Sequence, residues 1–460
     1  WFAGWKRVRR VAGAAGRFPA QRFPSSPSGH RWAILHLLRQ HGPLSRKDLA
    51  RRTGLSQPRV SALVRELLDE QLVQEVGTGR SSGGRRPVLL DLNPAAYWVL
   101  AAMVEADRCD VAMADLSGRL VRVETVDLQL AAGRPGNGQE ALDRLAEALK
   151  GVVKRAGLPP DRWLGTAVGV PGIVDPDTGR VRRAPGVGWW QDAAVREGLE
   201  SRLPGPVLVE NDVNLMALGE YARGAGQGAR CLVLMYVGTG IGAAVVAGGR
   251  LFRGATSAAG EIGYLPVGLV PDAVEAGEAV DAKEAVDAER AVGAGDAGDA
   301  RDAGDAGEGS VQPGFGCFEA RYSARAVARF LEGRGIAPDG RPVAALAELA
   351  QRDAEARRFF RRLIAHWGLA VASLVAVIDP DRVLLGGEAQ AIGPEGLAEL
   401  RRVAARYVPD LPPIAFAALG ARAGLEGAVY QVLNSAGPGM GHGARPASTG
   451  AASTGTGGTP

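Results

Sequence analysis

Two short stretches near the start of the chain carry side chains suited to binding nucleic acids. The first, residues 56–65, sets polar and basic side chains among apolar ones: Ser56, Gln57, Arg59, Ser61 and Arg65. The second, residues 77–86, sets three arginines among glycines: Arg80, Arg85 and Arg86. Arg and Gln can read base edges, and arginines beside glycines can approach a phosphate or the minor groove closely. Both stretches therefore predict contacts to double-stranded DNA.

The surrounding sequence has the signals of helices that would position these side chains. Ser45 is a candidate N-cap with Asp48 three residues on, and Gly54 ends that helix. A second helix begins at Ser56, and its apolar residues recur at spacings of three and four, at Val60, Leu63, Val64, Leu67 and Leu68. With two short apolar runs around the basic loop, this predicts a winged helix-turn-helix over residues 31–92, in which Arg46 is a further DNA contact. The alternative is a three-helix packing domain with a solvated basic loop.

A second group of residues with chemical potential follows two predicted strands. A strand over residues 206–209 leads into Glu210-Asn211-Asp212-Val213-Asn214, and a strand over residues 231–237 opens into Gly238-Thr239-Gly240-Ile241-Gly242. A glycine-rich turn after a strand can hold a phosphate with its backbone amides. Tight turns between strands use the same residues, so the spacing by itself leaves both interpretations open.

Strands and helices alternate between residues 97 and 433, and the pattern occurs twice. A strand pair is predicted over residues 100–116, an amphipathic helix over 142–153 and a buried strand over 165–170. The pattern predicts α/β layers in two lobes.

The composition sets off three segments that we expect to be disordered. These are a basic arm at residues 1–30, an Ala-, Asp-, Glu- and Gly-rich insertion at 270–312, and a Gly-, Ser-, Thr- and Pro-rich tail at 434–460. Low-complexity polar segments cannot bury enough apolar surface to order themselves. In a chain of 460 residues with a net charge of +4, this leaves two main regions, residues 31–92 and 97–433.

Several function classes are disfavoured by the sequence. We find no apolar run of about 20 residues and no signal-like segment, so a cytoplasmic protein without membrane contact is expected. Cys109, Cys231 and Cys317 are too far apart in sequence to indicate a disulfide framework or a Cys-x-x-Cys metal site, and we expect them to be buried or inert. The five histidines have no ligand spacing, and each is expected on a helix surface or in a loop.

Taken together, the motifs resemble those of the ROK family of sugar kinases and sugar-responsive repressors. The carriers are GVPGIVD at 169–175, APGVGW at 184–189, VENDVN at 209–214, GTGIGAAVV at 238–246, GEIGY at 260–264, GCFE at 316–319 and DPDRVLLGG at 379–387. The resemblance implies an α/β fold in which a winged helix-turn-helix precedes a two-lobed actin/hexokinase-like domain.

The resemblance also implies a sugar site. In the kinases the aspartate that matches Asp212 is the general base on a sugar hydroxyl, and residues matching Asn211, Glu261 and Glu319 hold other hydroxyls. Carboxylates and amides suit sugars because each can bond two adjacent hydroxyls. This chain has Tyr264 where the family has a sugar-contacting His, and Gly186 where Asn is frequent. The alternative is that these residues are remnants in a domain kept for dimerisation.

The sequence departs from the kinases at the first phosphate loop. The family's Asp-x-Gly-Gly-Thr aligns with Met103, Glu105, Ala106 and Asp107, so carboxylates stand where nucleotide phosphates would bind. We therefore predict no catalytic residues, no kinase activity and no cofactor, and we interpret Gly238–Gly242 as a structural turn.

The family's zinc site has also lost ligands. Tyr264 stands at the His position, and Ser310 and Gln312 stand at two Cys positions, which leaves Cys317. One thiolate cannot form a four-ligand zinc site. We therefore expect no metal.

These expectations describe a repressor that binds a double-stranded DNA operator as a homodimer or homotetramer and responds to a sugar or sugar derivative. A sugar kinase with a DNA-binding appendage is the competing hypothesis, and a DNA-binding scaffold without a ligand is a third. The missing phosphate loop favours the repressor.

Overall fold

The computed structural model describes residues 27–80, 86–105, 108–128, 138–157, 159, 162–184, 190–266 and 316–435. The predicted disordered insertion, most of the basic arm and tail, and the predicted DNA contact Arg85 lie outside these residues. The described chain divides into a first unit that ends at Asn93 and a second unit, Pro94–Ser435.

The first unit has three helices and three strands. They are α1 (Pro27–His41), β1 (Leu44–Ser45), α2 (Arg46–Thr53), α3 (Gln57–Asp69), β2 (Val73–Thr78) and β3 (Val88–Leu92). The strands pair antiparallel in the order β1-β3-β2. The predicted winged helix is confirmed. The sequence-based prediction did not place α1, whose first residues, 27–30, it assigned to the basic arm. It also missed β1, because two residues are too few to show an alternation.

Local sequence signals set the ends of the first unit's helices. The Ser45 side chain accepts a hydrogen bond from the Asp48 amide at 3.1 Å, and the Asp48 carboxylate accepts one from the Ser45 amide at 3.3 Å, as a capping box requires. Gly54 ends α2 in the left-handed region at φ 72°. Ser56 precedes α3 as predicted, although its side chain makes no capping hydrogen bond. Leu49, Val60, Leu63 and Leu67 are buried, so the predicted inner faces are confirmed.

The second unit contains two lobes, each built on a five-stranded sheet. Lobe 1 has the order β11-β7-β4-β5-β6. Its strands are β4 (Trp98–Val104), β5 (Arg108–Asp115), β6 (Leu120–Asp127), β7 (Trp163–Val170) and β11 (Val207–Asn211). Strands β11, β7 and β4 run parallel, whereas β4, β5 and β6 are antiparallel. The predicted strand pair corresponds to β4 and β5, and the predicted helix lies within α4 (Gly138–Ala156).

A small antiparallel sheet follows β7 along the chain. It contains β8 (Ile173–Val174), β9 (Arg180–Arg183) and β10 (Ala193–Ala194), in the order β10-β9-β8, and it leads into α5 (Val195–Glu200). Val174, Val181 and Val195 join the core of lobe 1.

Lobe 2 repeats this plan in the order β14-β13-β12-β15-β16. Its strands are β12 (Cys231–Val237), β13 (Ile241–Ala247), β14 (Arg250–Phe252), β15 (Arg382–Gly387) and β16 (Ile414–Phe416). Its helices are α7 (Cys317–Tyr322), α8 (Ala324–Glu332), α9 (Pro342–Leu349), α10 (Ala354–Ile378) and α11 (Gly393–Ala404). Each lobe has its own buried apolar cluster, so the predicted two-lobed α/β architecture is confirmed.

Two crossed helices join the lobes. Helix α6 (Asp212–Arg223) follows β11 of lobe 1, and α12 (Ala423–Ser435) follows β16 of lobe 2. A Cβ on Gly219 would overlap the Ala423 carbonyl, and one on Gly427 would overlap the Leu215 carbonyl. The two backbones therefore touch at this crossing because neither glycine has a side chain.

Helix α10 is the one helix in the described part of the chain that is long and apolar enough to span a bilayer by length and composition. Half of its most apolar stretch is buried inside the protein, and Leu363, Trp367 and Val371 lie in the lobe 2 core. The helix therefore packs as a core helix.

Two expectations about single residues need correction. Cys317 is exposed at the start of α7, whereas Cys109 is buried and Cys231 is partly buried. His36 is buried inside α1 and stacks on Trp32, so it is not a surface histidine. Both corrections concern helix faces, which depend on neighbours far away in sequence.

Candidate functional site

The predicted DNA-contacting side chains differ in exposure along α3. Ser56, Gln57 and Arg65 are exposed, and Arg59 and Ser61 are half-buried at the rim of the helix. Arg80 and Arg86, on either side of the wing loop, are exposed. These side chains stay predictions as DNA contacts.

Ion pairs fix the elements that carry these side chains. Arg46 of α2 donates to Glu75 of β2 at 3.3 Å, which ties the helix to the wing strand. Arg31 of α1 donates to Glu70 at 2.7 Å and to Glu66 at 3.4 Å, both near the end of α3. Exposed pairs of this kind contribute about 0–1 kcal/mol each, so their main effect is on orientation.

Asn211 and Asp212 lie at the carboxyl end of β11, where α6 begins. The Asn211 side chain accepts a hydrogen bond from the Asn214 amide at 3.0 Å and donates to the Gly172 carbonyl at 3.0 Å. Asp212 is partly buried, and burial raises the pKa of its carboxyl to about 6, with a further contribution from the charge of Glu105. Asn211 therefore holds the turn, and Asp212 offers a carboxyl group of altered acidity.

Lobe 2 places a second carboxyl group near Asp212. Burial raises the pKa of Glu261 to about 6, and the charges of Glu319 and Asp212 raise it further, whereas Arg183 opposes them. The guanidinium of Arg183 lies 5.7 Å from the centre of the Tyr264 ring, which is 38% exposed. We call the set Asp212, Glu261 and Tyr264 the carboxylate end.

Glu319 is already bonded to the backbone. It is buried, and its carboxylate accepts hydrogen bonds from the Gly316 amide at 3.0 Å and the Ile241 amide at 3.3 Å. The side chain thereby ties the start of α7 to the start of β13. Its assignment as a sugar contact stays a prediction, because a carboxylate oxygen has a second lone pair.

The first phosphate-loop position is filled by an apolar side chain. Met103, on β4, is 8% exposed. A Cβ on Gly169 would lie 2.5 Å from its sulfur, and one on Gly424 would lie 2.5 Å from its methyl group. The side chain therefore occupies the space that these two glycines leave open. Ala106 and Asp107 lie outside the described residues.

An aromatic ring lies beside the start of the glycine-rich turn at residues 238–242. A Cβ on Gly238 would lie 3.0 Å from the ring of Tyr236, and one on Gly387 would lie 2.9 Å from it. Burial raises the pKa of Tyr236 to about 12, and the charges of Asp212, Glu105 and Glu388 add to that shift. We call Met103 and Tyr236, each packed against glycines, the glycine end, which adjoins the carboxylate end because the charge of Asp212 reaches Tyr236.

The residues present do not fit the family's zinc site. Cys317 is exposed at the start of α7, and Tyr264 offers a phenol where an imidazole would bind the metal. In the described part of the chain no group of three or more His, Cys, Asp and Glu side chains could hold a metal ion.

Four residues near this region were missed as site residues by sequence reasoning. They are Arg183, Glu210, Tyr236 and Arg253. Glu210 was visible as a carboxylate beside Asn211. The other three give no local signal, because their importance comes from partners in the opposite lobe or on another strand.

Two family models match the chain. A model of the ROK family matches residues 106–435, and a model of the MarR family matches residues 26–86. The putative xylose repressor of Caldicellulosiruptor sp. (strain Rt8B.4) is 30% identical over 383 residues, which covers 80% of this chain and 86% of that protein. The DNA-binding transcriptional repressor Mlc of Escherichia coli (strain K12) is 30% identical over 236 residues, which covers 51% of this chain and 57% of that protein.

Solved structures share the fold. A ROK family transcriptional regulator, described as a homolog of the E. coli MLC protein, has a TM-score of 0.69 at 20% identity, over 89% of this chain and 97% of that chain. The ROK hexokinase from Thermus thermophilus has a TM-score of 0.54 at 28% identity, over 74% of this chain and 99% of that chain.

Proposed function

Because this chain belongs to the ROK family, we propose that it is a sugar-responsive transcriptional repressor without kinase activity. The observation that carries the proposal is the difference between the two ends. Asp212 and Glu261 converge from the two lobes. By contrast, Met103 packs against Gly169 and Gly424, and the Tyr236 ring packs against Gly238 and Gly387. A winged helix precedes these lobes. Relatives named xylose repressor, Mlc and NagC support the same function.

The DNA-binding proposal rests on α3 and the wing. In a winged helix-turn-helix the second helix enters the major groove, and its polar side chains contact base edges. Gln57, Arg59 and Ser61 would read bases, and Arg80 and Arg86 would bind the groove or the phosphates. The operator would be double-stranded DNA in the cytoplasm, bound as an inverted repeat by a homodimer or homotetramer.

The proposed effector is an uncharged sugar held at the carboxylate end. Asp212 and Glu261 can each bond two adjacent hydroxyls. The charges of Glu105 and Glu319 also reach this end, so a phosphate or carboxylate on the ligand would meet repulsion. The positive charge of Arg183 partly offsets the effect of these negative charges on Glu261.

The competing function, an ATP-dependent sugar kinase with a DNA-binding domain, is favoured by the likeness to the Thermus thermophilus hexokinase. A kinase needs backbone amides and a metal ion around the transferred phosphoryl group. Met103 stands at the first position of the matching motif and packs between Gly169 and Gly424. The Tyr236 ring lies beside Gly238 and Gly387. These two side chains are the reason for preferring a repressor.

The proposal can be tested with DNA selected from genomic fragments by the full chain. Binding is measured by fluorescence anisotropy with D-xylose, D-glucose, N-acetylglucosamine and the phosphates of these sugars. We expect one uncharged sugar to weaken operator binding and Asp212→Ala to abolish that response without changing sugar-free binding. A response to sugar phosphates alone would refute the effector class.

The DNA arm of the same experiment uses Arg59→Ala. If Arg59 contacts a base, the variant loses about 1–3 kcal/mol on the selected site and less on random DNA. Equal losses on both DNAs would mean that Arg59 contacts phosphate.

A further inference from the structure

Glu210 is a buried carboxylate immediately before the Asn211–Asp212 turn, with a side chain 2% exposed. One oxygen accepts hydrogen bonds from the Asn211 amide at 3.0 Å and the Asn214 side chain at 2.9 Å. The other oxygen accepts two from Arg253, from Nε at 2.9 Å and Nη2 at 2.6 Å. That second oxygen also accepts a hydrogen bond from the Gln431 side chain of α12 at 3.4 Å. The acceptor positions of Glu210 are thus divided between lobe 1, α12 and an arginine from lobe 2.

Arg253 begins a loop, residues 253–261, that ends at Glu261. The Arg253 carbonyl accepts a hydrogen bond from the Ala259 amide at 3.1 Å, and the Ala258 carbonyl accepts one from the Glu261 amide at 3.3 Å. Gly260 is at φ 93°, and a Cβ there would overlap the Ala243 carbonyl. The loop is therefore internally bonded between Arg253 and Glu261, and the Gly260 carbonyl also accepts a hydrogen bond from the Ala243 amide of β13 at 2.7 Å.

A second arginine links the same loop to lobe 1. Arg182, on β9, donates to the Thr256 carbonyl at 3.1 Å. Glu210 and Arg182 thus both hold loop 253–261, the first from the end of β11 and the second from the small sheet. These contacts add to the α6–α12 contact in linking the two lobes, and they act on the loop that carries Glu261.

The Glu210–Arg253 ion pair is better suited to holding two segments in a fixed arrangement than to stabilising the fold. A buried ion pair offsets its desolvation cost only when its geometry is good, and an apolar replacement is often as stable. Two N–H donors of a planar guanidinium converge on one carboxylate oxygen, which makes the contact more directional than that of a single ammonium group. A lysine would keep the charge and lose that fixed geometry.

We propose that the Glu210–Arg253 pair is a positioning device that sets the separation of Asp212 and Glu261, and thereby the affinity for the effector sugar. Neither residue needs to touch the sugar. The inference rests on the proposed function, because it concerns the response of that same site. Arg253 and Glu210 act through the loop and the turn that they join.

The test compares Arg253→Lys with wild-type protein in the operator assay, using D-xylose, D-glucose and N-acetylglucosamine as probes. We expect the sugar concentration for half-release of the operator to rise about tenfold, with sugar-free operator affinity within about twofold of wild type. Arg202→Met is the matched control, because it breaks a 2.7 Å ion pair with Asp143 inside lobe 1. A half-release concentration for Arg253→Lys within about twofold of wild type would overturn the proposal.

A second variant guards against a folding defect. Glu210→Gln/Arg253→Met removes both charges, so no uncompensated charge stays buried. If it melts cooperatively in circular dichroism and still loses the sugar response, the proposal is supported. If it melts cooperatively and responds as wild type does, the pair is only structural.

Hydrogen exchange separates this inference from the proposed function because it needs no sugar. In Arg253→Lys, we expect amides of residues 253–261 to exchange about tenfold faster than in wild type, with no change in Arg202→Met. Unchanged exchange would overturn the inference whatever the sugar does. If wild type responds to none of the sugars while exchange is faster, the proposed function fails and the ordering role of Arg253 stands.

Discussion

The carboxylate end and the glycine end of the second unit differ in which groups are buried. At the carboxylate end, Asp212 and Glu261 are held where burial and neighbouring charge raise the pKa of each to about 6. At the glycine end, Met103 and Tyr236 fill the space beside the glycines. The carboxylate end, where we propose that a ligand binds, keeps carboxyl groups whose burial costs stability. At the glycine end, side chains pack against glycines instead.

The largest effect on this comparison is expected from Met103→Ala. Removing the buried side chain leaves a cavity between Gly169 and Gly424, and such a substitution costs about 2–5 kcal/mol of unfolding free energy. Urea titration followed by fluorescence measures it. A loss close to zero would show that the glycine end is open rather than packed.

A glycine-to-alanine change tests whether Met103 fills the space beside Gly424. The Cβ of Gly424→Ala would occupy part of the space that Met103 fills, so the double variant Met103→Ala/Gly424→Ala should lose less than the sum of the single losses, by about 1 kcal/mol. Gly333→Ala is a matched control, because its Cβ would meet neighbours at an ordinary 3.4 Å and its φ is −57°. Additive losses would mean that the two sites do not share this space.

At the carboxylate end we expect a substitution to raise the free energy of unfolding, by less than Met103→Ala lowers it. Asp212→Asn removes a carboxyl group that burial makes costly to ionise, so the variant should be more stable than wild type by about 1–2 kcal/mol at pH 7.5. Thermal unfolding measures the gain, and Asp177→Asn, in an exposed turn, is the control. A destabilised Asp212→Asn would show that the charge contributes to the fold.

The pH dependence of that gain follows from the sign of the shift. The pKa of Asp212 is about 6 in the folded protein and 3.8 for the ordinary carboxyl group. Between these values the unfolded chain gives up its proton first, so wild type loses stability as pH rises through about 6. The stability difference between Asp212→Asn and wild type should therefore grow from pH 4 to about pH 7 and then level off.

The smallest effect is expected from ATP and Mg²⁺. With Met103 and Tyr236 beside the glycines, we expect no shift in melting temperature and no ATP-dependent phosphorylation of D-xylose, D-glucose or N-acetylglucosamine. Product analysis with radiolabelled ATP checks this. Turnover that disappears in Asp212→Asn would restore the kinase interpretation.

Local sequence signals predicted elements and the positions of single motifs well. The strand predicted over residues 231–237 is β12, and the capping box at Ser45 and the left-handed Gly54 bound α2 as expected. These features depend on residues within one turn or on the alternation of one strand. The same locality explains why the two-residue β1 was missed and why the buried His36 was expected at the surface.

The sequence by itself determined the family and the winged helix, and it predicted Asn211, Asp212 and Glu261 as site residues. Only the tertiary structure decided what those residues face. Glu210 and Arg253 are 43 positions apart in the chain, and Arg183 meets Tyr264 across the lobes. The Met103 side chain packs against Gly169 on β7 and Gly424 on α12. Such pairs have no local signature, because their distance is set by how two sheets and two crossed helices pack and not by spacing along the chain.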